Sequence, residues 1–193
     1  MDKRFLAIIG VIVVVFLGVV LLGNHGNSNN NGSSSSNGTK PTNHVEGNLN
    51  SKVTLVEYGD YECPVCQSYF ATVKQVEQQY AGQIKFQFRN LPLSQIHQNA
   101  IAGARAAEAA DMQGKFWQMH DVLYEENDYE EQTGWVVSND PLDDYFVGYA
   151  KQLGLNVSKF KTDFASAAAN DRIQADLAAF SKTGQQEATP TFF

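Results

Sequence analysis

The chain has 193 residues, 43% of them hydrophobic, and a formal net charge of −7. Outside Asp2, Lys3, Arg4 and Lys40, 20 acidic side chains stand against 11 basic ones, a net of −9 that argues against nucleic acid and anionic lipid as partners. Residues 45–193 are enough for one domain with a real core.

The first element is an apolar run, Phe5 to Leu22, preceded by Asp2-Lys3-Arg4. As a helix it would extend roughly 27 Å, close to the hydrocarbon core of a bilayer. Leu21-Leu22-Gly23-Asn24 offers no good cleavage pattern, so residues 1–23 are expected to be a retained transmembrane anchor rather than a cleaved signal peptide. Lys3 and Arg4 would stay cytoplasmic, which puts the rest of the chain on the extracytoplasmic side of the cell membrane, where disulfides persist. Residues 24–44 are almost wholly Asn, Ser, Gly and Thr and read as a flexible tether averaging roughly 25 Å end to end.

The run Val53 to Tyr58 reads as a buried strand, and from Cys66 onward apolar residues recur at helical spacing through Phe70, Val73, Val76 and Tyr80. Between them lies Cys63-Pro64-Val65-Cys66, which holds both cysteines of the chain. Cys63 would sit at the helix N-terminus, where unpaired backbone N–H groups and the helix dipole favour a thiolate. Pro64 suits the first turn, because it has no N–H to leave unpaired. Half of a zinc site and a purely structural disulfide are the alternatives. No second cysteine pair exists, the four histidines lack ligand spacing, and a two-residue loop gains little from closure. Redox activity is therefore the leading reading.

Gly82 is the expected helix stop, and Ile84 to Arg89 alternates as a second strand, giving a strand–helix–strand unit. A helical region over about residues 95–184 follows. Helices are expected at Asn99–Asp111 and Lys115–Tyr124, from Asp140 as N-cap and Pro141 to near Gly154, at Val157–Ala168, and at Asp171–Lys182 with Gly184 as a stop. Phe116, Trp117, Phe146, Phe160, Phe164 and Phe180 read as packing residues. The acidic stretch Glu125 to Glu131 reads as a solvated loop.

Three features together resemble the DsbA-like thiol–disulfide oxidoreductases of the thioredoxin superfamily: Cys63-Pro64-Val65-Cys66 after a strand, the long helical insertion, and Thr189-Pro190-Thr191 near the end. The resemblance covers nearly all of residues 45–193. It implies an α/β thioredoxin fold with a helical insertion, placed after the N-terminal transmembrane helix. It further implies a cis Pro190 facing the cysteines, with Thr189 presenting its backbone to a bound peptide. Glu57 would be a buried acid beneath the pair that helps move the proton of Cys66, and its apolar neighbours suggest that both faces of its strand are covered. Such a fold continues past the cis-proline loop with a strand, its hairpin partner and a helix, so the chain is expected to be a fragment of a longer protein.

Two residues depart from the family pattern. Strongly oxidising members carry His where this chain has Val65, and Glu62 adds a negative charge beside Cys63. Both are expected to weaken the thiolate and make the pair less oxidising. The expected function is introduction of disulfides into exported proteins. Exposed Cys63 would attack and more buried Cys66 would resolve, a membrane redox partner would reset the pair, and no organic cofactor or metal is implied. A reductase or isomerase of the same fold is one alternative. A non-enzymatic binding or chaperone-like module with a fixed disulfide is another.

Overall fold

A computed structural model describes residues 40–127 and 133–193. The expected anchor and most of the expected tether lie outside the described residues, as does part of the acidic loop. Among the described residues no helix is long and apolar enough to cross a membrane.

The described chain runs β1 (His44–Gly47), β2 (Val53–Gly59), α1 (Pro64–Tyr80), β3 (Ile84–Asn90), α2 (Ala100–Asp111) and α3 (Phe116–Glu125). A short turn of helix at Trp135–Val137 follows. A wide π-type turn at Leu142–Phe146 then leads into α4 (Val147–Gln152), before α5 (Val157–Phe164), α6 (Ala167–Ser181) and β4 (Thr191–Phe192). The sheet order is β1-β3-β2-β4; β2 and β3 are parallel, and β1 and β4 pair antiparallel on the two sides. The described helices from Ala100 to Ser181 thus lie between β3 and β4 in the chain.

Both faces of β2 are covered. Leu55 packs with Phe86, Phe88 and the cysteines in the main core, while Tyr58 and Val56 pack with Leu91, Phe180 and Leu177 on the other side. Phe116, Phe146, Phe160 and Phe180 are buried, and Trp117 and Phe164 pack against the core, so the aromatic residues of the insertion pack as expected.

Several boundaries differ from the sequence reading. The domain begins before residue 45: the backbone N–H and hydroxyl of Thr42 donate to Asp176, and His44 opens β1 and bonds Glu108. The tether therefore ends short of these residues, which no hydrophobic period marks. Helix α1 ends at Ala81 in right-handed conformation, and Gly82 lacks the positive φ of a glycine stop. Gly154 and Gly184 do adopt it, at +72° and +71°. The helix expected over Val157–Ala168 stops at Phe164. Ser166 takes extended backbone, accepts a hydrogen bond from the Ala169 N–H and starts α6 earlier than expected. Asp140 caps its helix by accepting from the Asp143 N–H, although the first turn is π-wound rather than α.

Candidate active site

The loop from Gly59 to Cys63 is set by one buried carboxylate. Asp60 Oδ1 accepts from the Glu62 N–H at 2.9 Å, a turn that Asp makes readily with the backbone two residues on. Its Oδ2 accepts from the Leu93 N–H at 2.8 Å and pairs with His97 Nδ1 at 2.7 Å, which ties the loop to the start of the insertion. The Asp60 carbonyl accepts from the Cys63 N–H at 3.1 Å, leaving Cys63 as N-cap of α1 with Pro64 in the first turn.

Cys63 and Cys66 are both free thiols in this structure. The sequence places Cys63 on an exposed helix tip, but only 5% of it is exposed, because the Thr189-Pro190 loop closes over it. The Cys63 S–H donates to the Thr189 carbonyl at 3.5 Å, and the Thr189–Pro190 peptide bond is cis. The two thiols are pushed in opposite directions. Hydrogen bonding from Cys66 is the largest influence on Cys63; with Thr189 and the Cys66 and Val65 backbone N–H groups it overcomes burial and pulls the Cys63 thiol down to about 5. Burial and the adjacent Cys63 sulfur push the Cys66 thiol far up. One sulfur is thus a nucleophile near neutral pH while the other keeps its proton.

Glu62 and Val65, the two departures from the family pattern, both flank the pair but direct their side chains away from the sulfurs. Glu62 turns its carboxylate to the N-terminus of α2, where Oε2 accepts from the Asn99 N–H and the Ala100 N–H adds a second bond. It serves as an outside cap for a helix whose own N-cap, Asn99, makes no side-chain capping bond. Val65 leaves its side chain exposed and contributes through its backbone N–H, which any residue type would supply.

Glu57 is 4% exposed and lies opposite Phe88 of β3 and Phe192 of β4. By strand alternation it shares the face of Leu55, above which the cysteines pack. Among the described residues no side chain hydrogen-bonds it or pairs with it. Burial alone raises its carboxyl to about 8.

Sequence reasoning missed Asp60 and His97. Asp60 carries a local signal, an Asp two residues before a loop N–H and three before the helix cap. His97 carries none, since only the folding of the chain brings it against Asp60. Among the described residues no group of three or more potential ligands gathers for a metal ion.

A dithiol with one activated and one suppressed sulfur, at a helix tip that follows a parallel strand and faces a cis-proline loop, defines a thioredoxin-like fold of the DsbA type, with two sulfurs placed where thiol–disulfide exchange is chemically possible. More particularly, the chain belongs to the thioredoxin family, whose model, described as Thioredoxin, matches residues 39–193. Among solved structures it is similar to a thioredoxin-like oxidoreductase from Silicibacter pomeroyi DSS-3, with 25% identity, a TM-score of 0.64 and 80% of each chain covered. BdbD from Bacillus subtilis shares the fold at 24% identity and a TM-score of 0.65, over 81% of this chain and 84% of that one. Pseudomonas aeruginosa DsbA2 shares it at 22% identity and 0.59, over 80% of each. A curated relative, the Na(+)/H(+) antiporter NhaA 1 of Salinispora arenicola, is 36% identical over 150 residues, 78% of this chain and 21% of the antiporter. The chain spans about a fifth of the length of the curated relatives it matches.

Proposed function

We propose that this protein donates disulfides to exported proteins on the extracytoplasmic side of the membrane, held there by residues 5–22. The observation that carries the oxidising direction is the opposed displacement of the two thiols. Stabilising the Cys63 thiolate stabilises the reduced pair, and a pair that prefers to be reduced is a stronger oxidant.

In the proposed reaction a substrate thiolate attacks Cys63 Sγ of the Cys63–Cys66 disulfide, and Cys66 leaves as a thiolate that takes up a proton. A second substrate thiolate attacks the substrate sulfur of the mixed disulfide, and Cys63 leaves as its stable thiolate. Two substrate thiols become one disulfide, and the two electrons left on the pair pass to a membrane redox partner. Thr189, whose carbonyl already accepts from Cys63, offers backbone groups to an extended substrate segment beside Pro190.

Equilibration of the Cys63–Cys66 pair with a glutathione buffer tests this reading. A reduction potential well above about −270 mV, the thioredoxin value, is expected. A potential at or below that value would overturn the oxidase assignment in favour of a reductase.

A further inference from the structure

The parallel pairing of β2 with β3 runs out where the active-site loop begins. Its last ladder bond runs from the Leu91 N–H to the Gly59 carbonyl, at 2.8 Å. One residue further the Asp60 carboxylate takes over, and its Oδ2 accepts from the Leu93 N–H at 2.8 Å. The Gly59–Asp60 peptide is therefore held from both sides, at its carbonyl and through the side chain of the residue that carries its N–H. A trans peptide is planar, so fixing the carbonyl also fixes the N–H, which points the other way. That N–H hydrogen-bonds the Cys66 sulfur and favours negative charge on it, against burial and the neighbouring Cys63 sulfur.

Asp60 is 1% exposed, and burying a carboxylate is costly unless its oxygens are paired. Both are paired here. Besides Leu93, Oδ1 accepts from the Glu62 N–H at 2.9 Å and Oδ2 accepts from His97 Nδ1 at 2.7 Å, so the His97 ring carries a proton on Nδ1. The Asp60 carbonyl accepts from the Cys63 N–H at 3.1 Å. Asp60 thus meets both cysteines through its backbone, while its side chain bonds groups that take no part in thiol exchange. Hydrogen bonds to an ionised carboxylate fix direction as well as position.

We infer that Asp60 is a positioning residue for Cys66: its carboxylate, clasped by the Leu93 and Glu62 N–H groups and by His97, aims the Asp60 N–H at the sulfur that resolves the mixed disulfide. The inference rests on the reading that the Cys63–Cys66 pair turns over. In resolution the Cys66 sulfur bonds to Cys63 Sγ, and the bond from Cys63 to the substrate sulfur breaks. The proton that Cys66 loses is balanced by the one that the departing substrate thiolate takes up. Negative charge on Cys66 in that step meets a donor already in place, which needs no reorganisation. The same N–H faces Cys66 when it leaves the disulfide in the opposite direction.

The test mixes reduced full-length protein with glutathione disulfide. Cys63 forms a mixed disulfide and releases one glutathione; Cys66 then resolves it and releases the second. Acid quenching and mass spectrometry separate the two phases. In Asp60→Ala, resolution should slow by roughly ten- to a hundredfold more than formation, because the donor facing Cys66 is loosened rather than removed. Asp60→Asn, which keeps one acceptor oxygen, should recover part of that rate. His97→Ala, which takes away one of the three groups that clasp the carboxylate, should slow resolution by about two- to fivefold. Equal slowing of the two phases, or no slowing of resolution, would make Asp60 a clamp on loop stability alone and overturn the inference. Should Asp60→Ala fail to fold, Asp60→Asn and His97→Ala carry the same comparison: slowing confined to resolution supports the inference, and unchanged or equally slowed phases overturn it. Wild-type protein that forms no mixed disulfide at all would instead refute the redox reading itself.

Discussion

Replacing Glu57 by Gln should change how stability depends on pH. Burial raises the Glu57 carboxyl from 4.5 to about 8 in the folded protein, so folding costs nothing through this group below pH 4.5. As pH rises the unfolded chain ionises first, the cost grows through this window, and above pH 8 it is constant. With about 1.4 kcal/mol per pH unit, the cost is about 1 kcal/mol at pH 5 and about 5 kcal/mol at pH 9. Glu57→Gln has no such cost, so its stability relative to the parent should rise by about 4 kcal/mol between those pH values. The comparison is made by urea unfolding in a Cys63→Ser/Cys66→Ser background, which removes thiol titration from both proteins. A difference that changes by less than about 1 kcal/mol between pH 5 and pH 9 would mean that water or an unseen partner solvates the carboxylate, and would refute the desolvation reasoning.

Alkylation of Cys63 should follow a single ionisation near pH 5, and Cys66→Ala should move it to higher pH, because hydrogen bonding from Cys66 is its largest influence; an unmoved profile would assign the activation to the helix N-terminus alone. Glu62→Ala should cost about 1–2 kcal/mol in thermal or urea unfolding by leaving the Asn99 N–H unpaired, while the Cys63 alkylation profile stays in place; a downward shift of that profile would restore a direct charge effect of Glu62 on the thiolate. Asp176→Ala should cost about 3–5 kcal/mol, because it strands the Thr42 N–H and hydroxyl and the Asn90 N–H in the interior; a loss under 1 kcal/mol would mean that residues 42–44 dock without it.

The chemistry was legible in the sequence because it is local. Two cysteines two residues apart, a proline in the first turn and a strand just before them determine a helix-capping dithiol, and the spacing of Phe70 and Val73 orients its buried stripe. The strand–helix–strand order, the aromatic packing of the insertion and the glycine stops at Gly154 and Gly184 follow from periodicity and backbone freedom in the same way. Tertiary structure decided whatever depends on residues far apart in the chain. Which way the Glu62 carboxylate turns is set by the exposed N–H groups of a helix that begins near residue 100. Burial of Cys63 comes from a loop 126 residues away, and docking of Thr42 from a carboxylate 134 residues away. The Tyr124 hydroxyl meets the end of β2 only once α3 has packed on the sheet. The sequence alone determined which sulfurs could react; the field that activates one and silences the other is made by burial and by hydrogen bonds that exist only when the chain is folded.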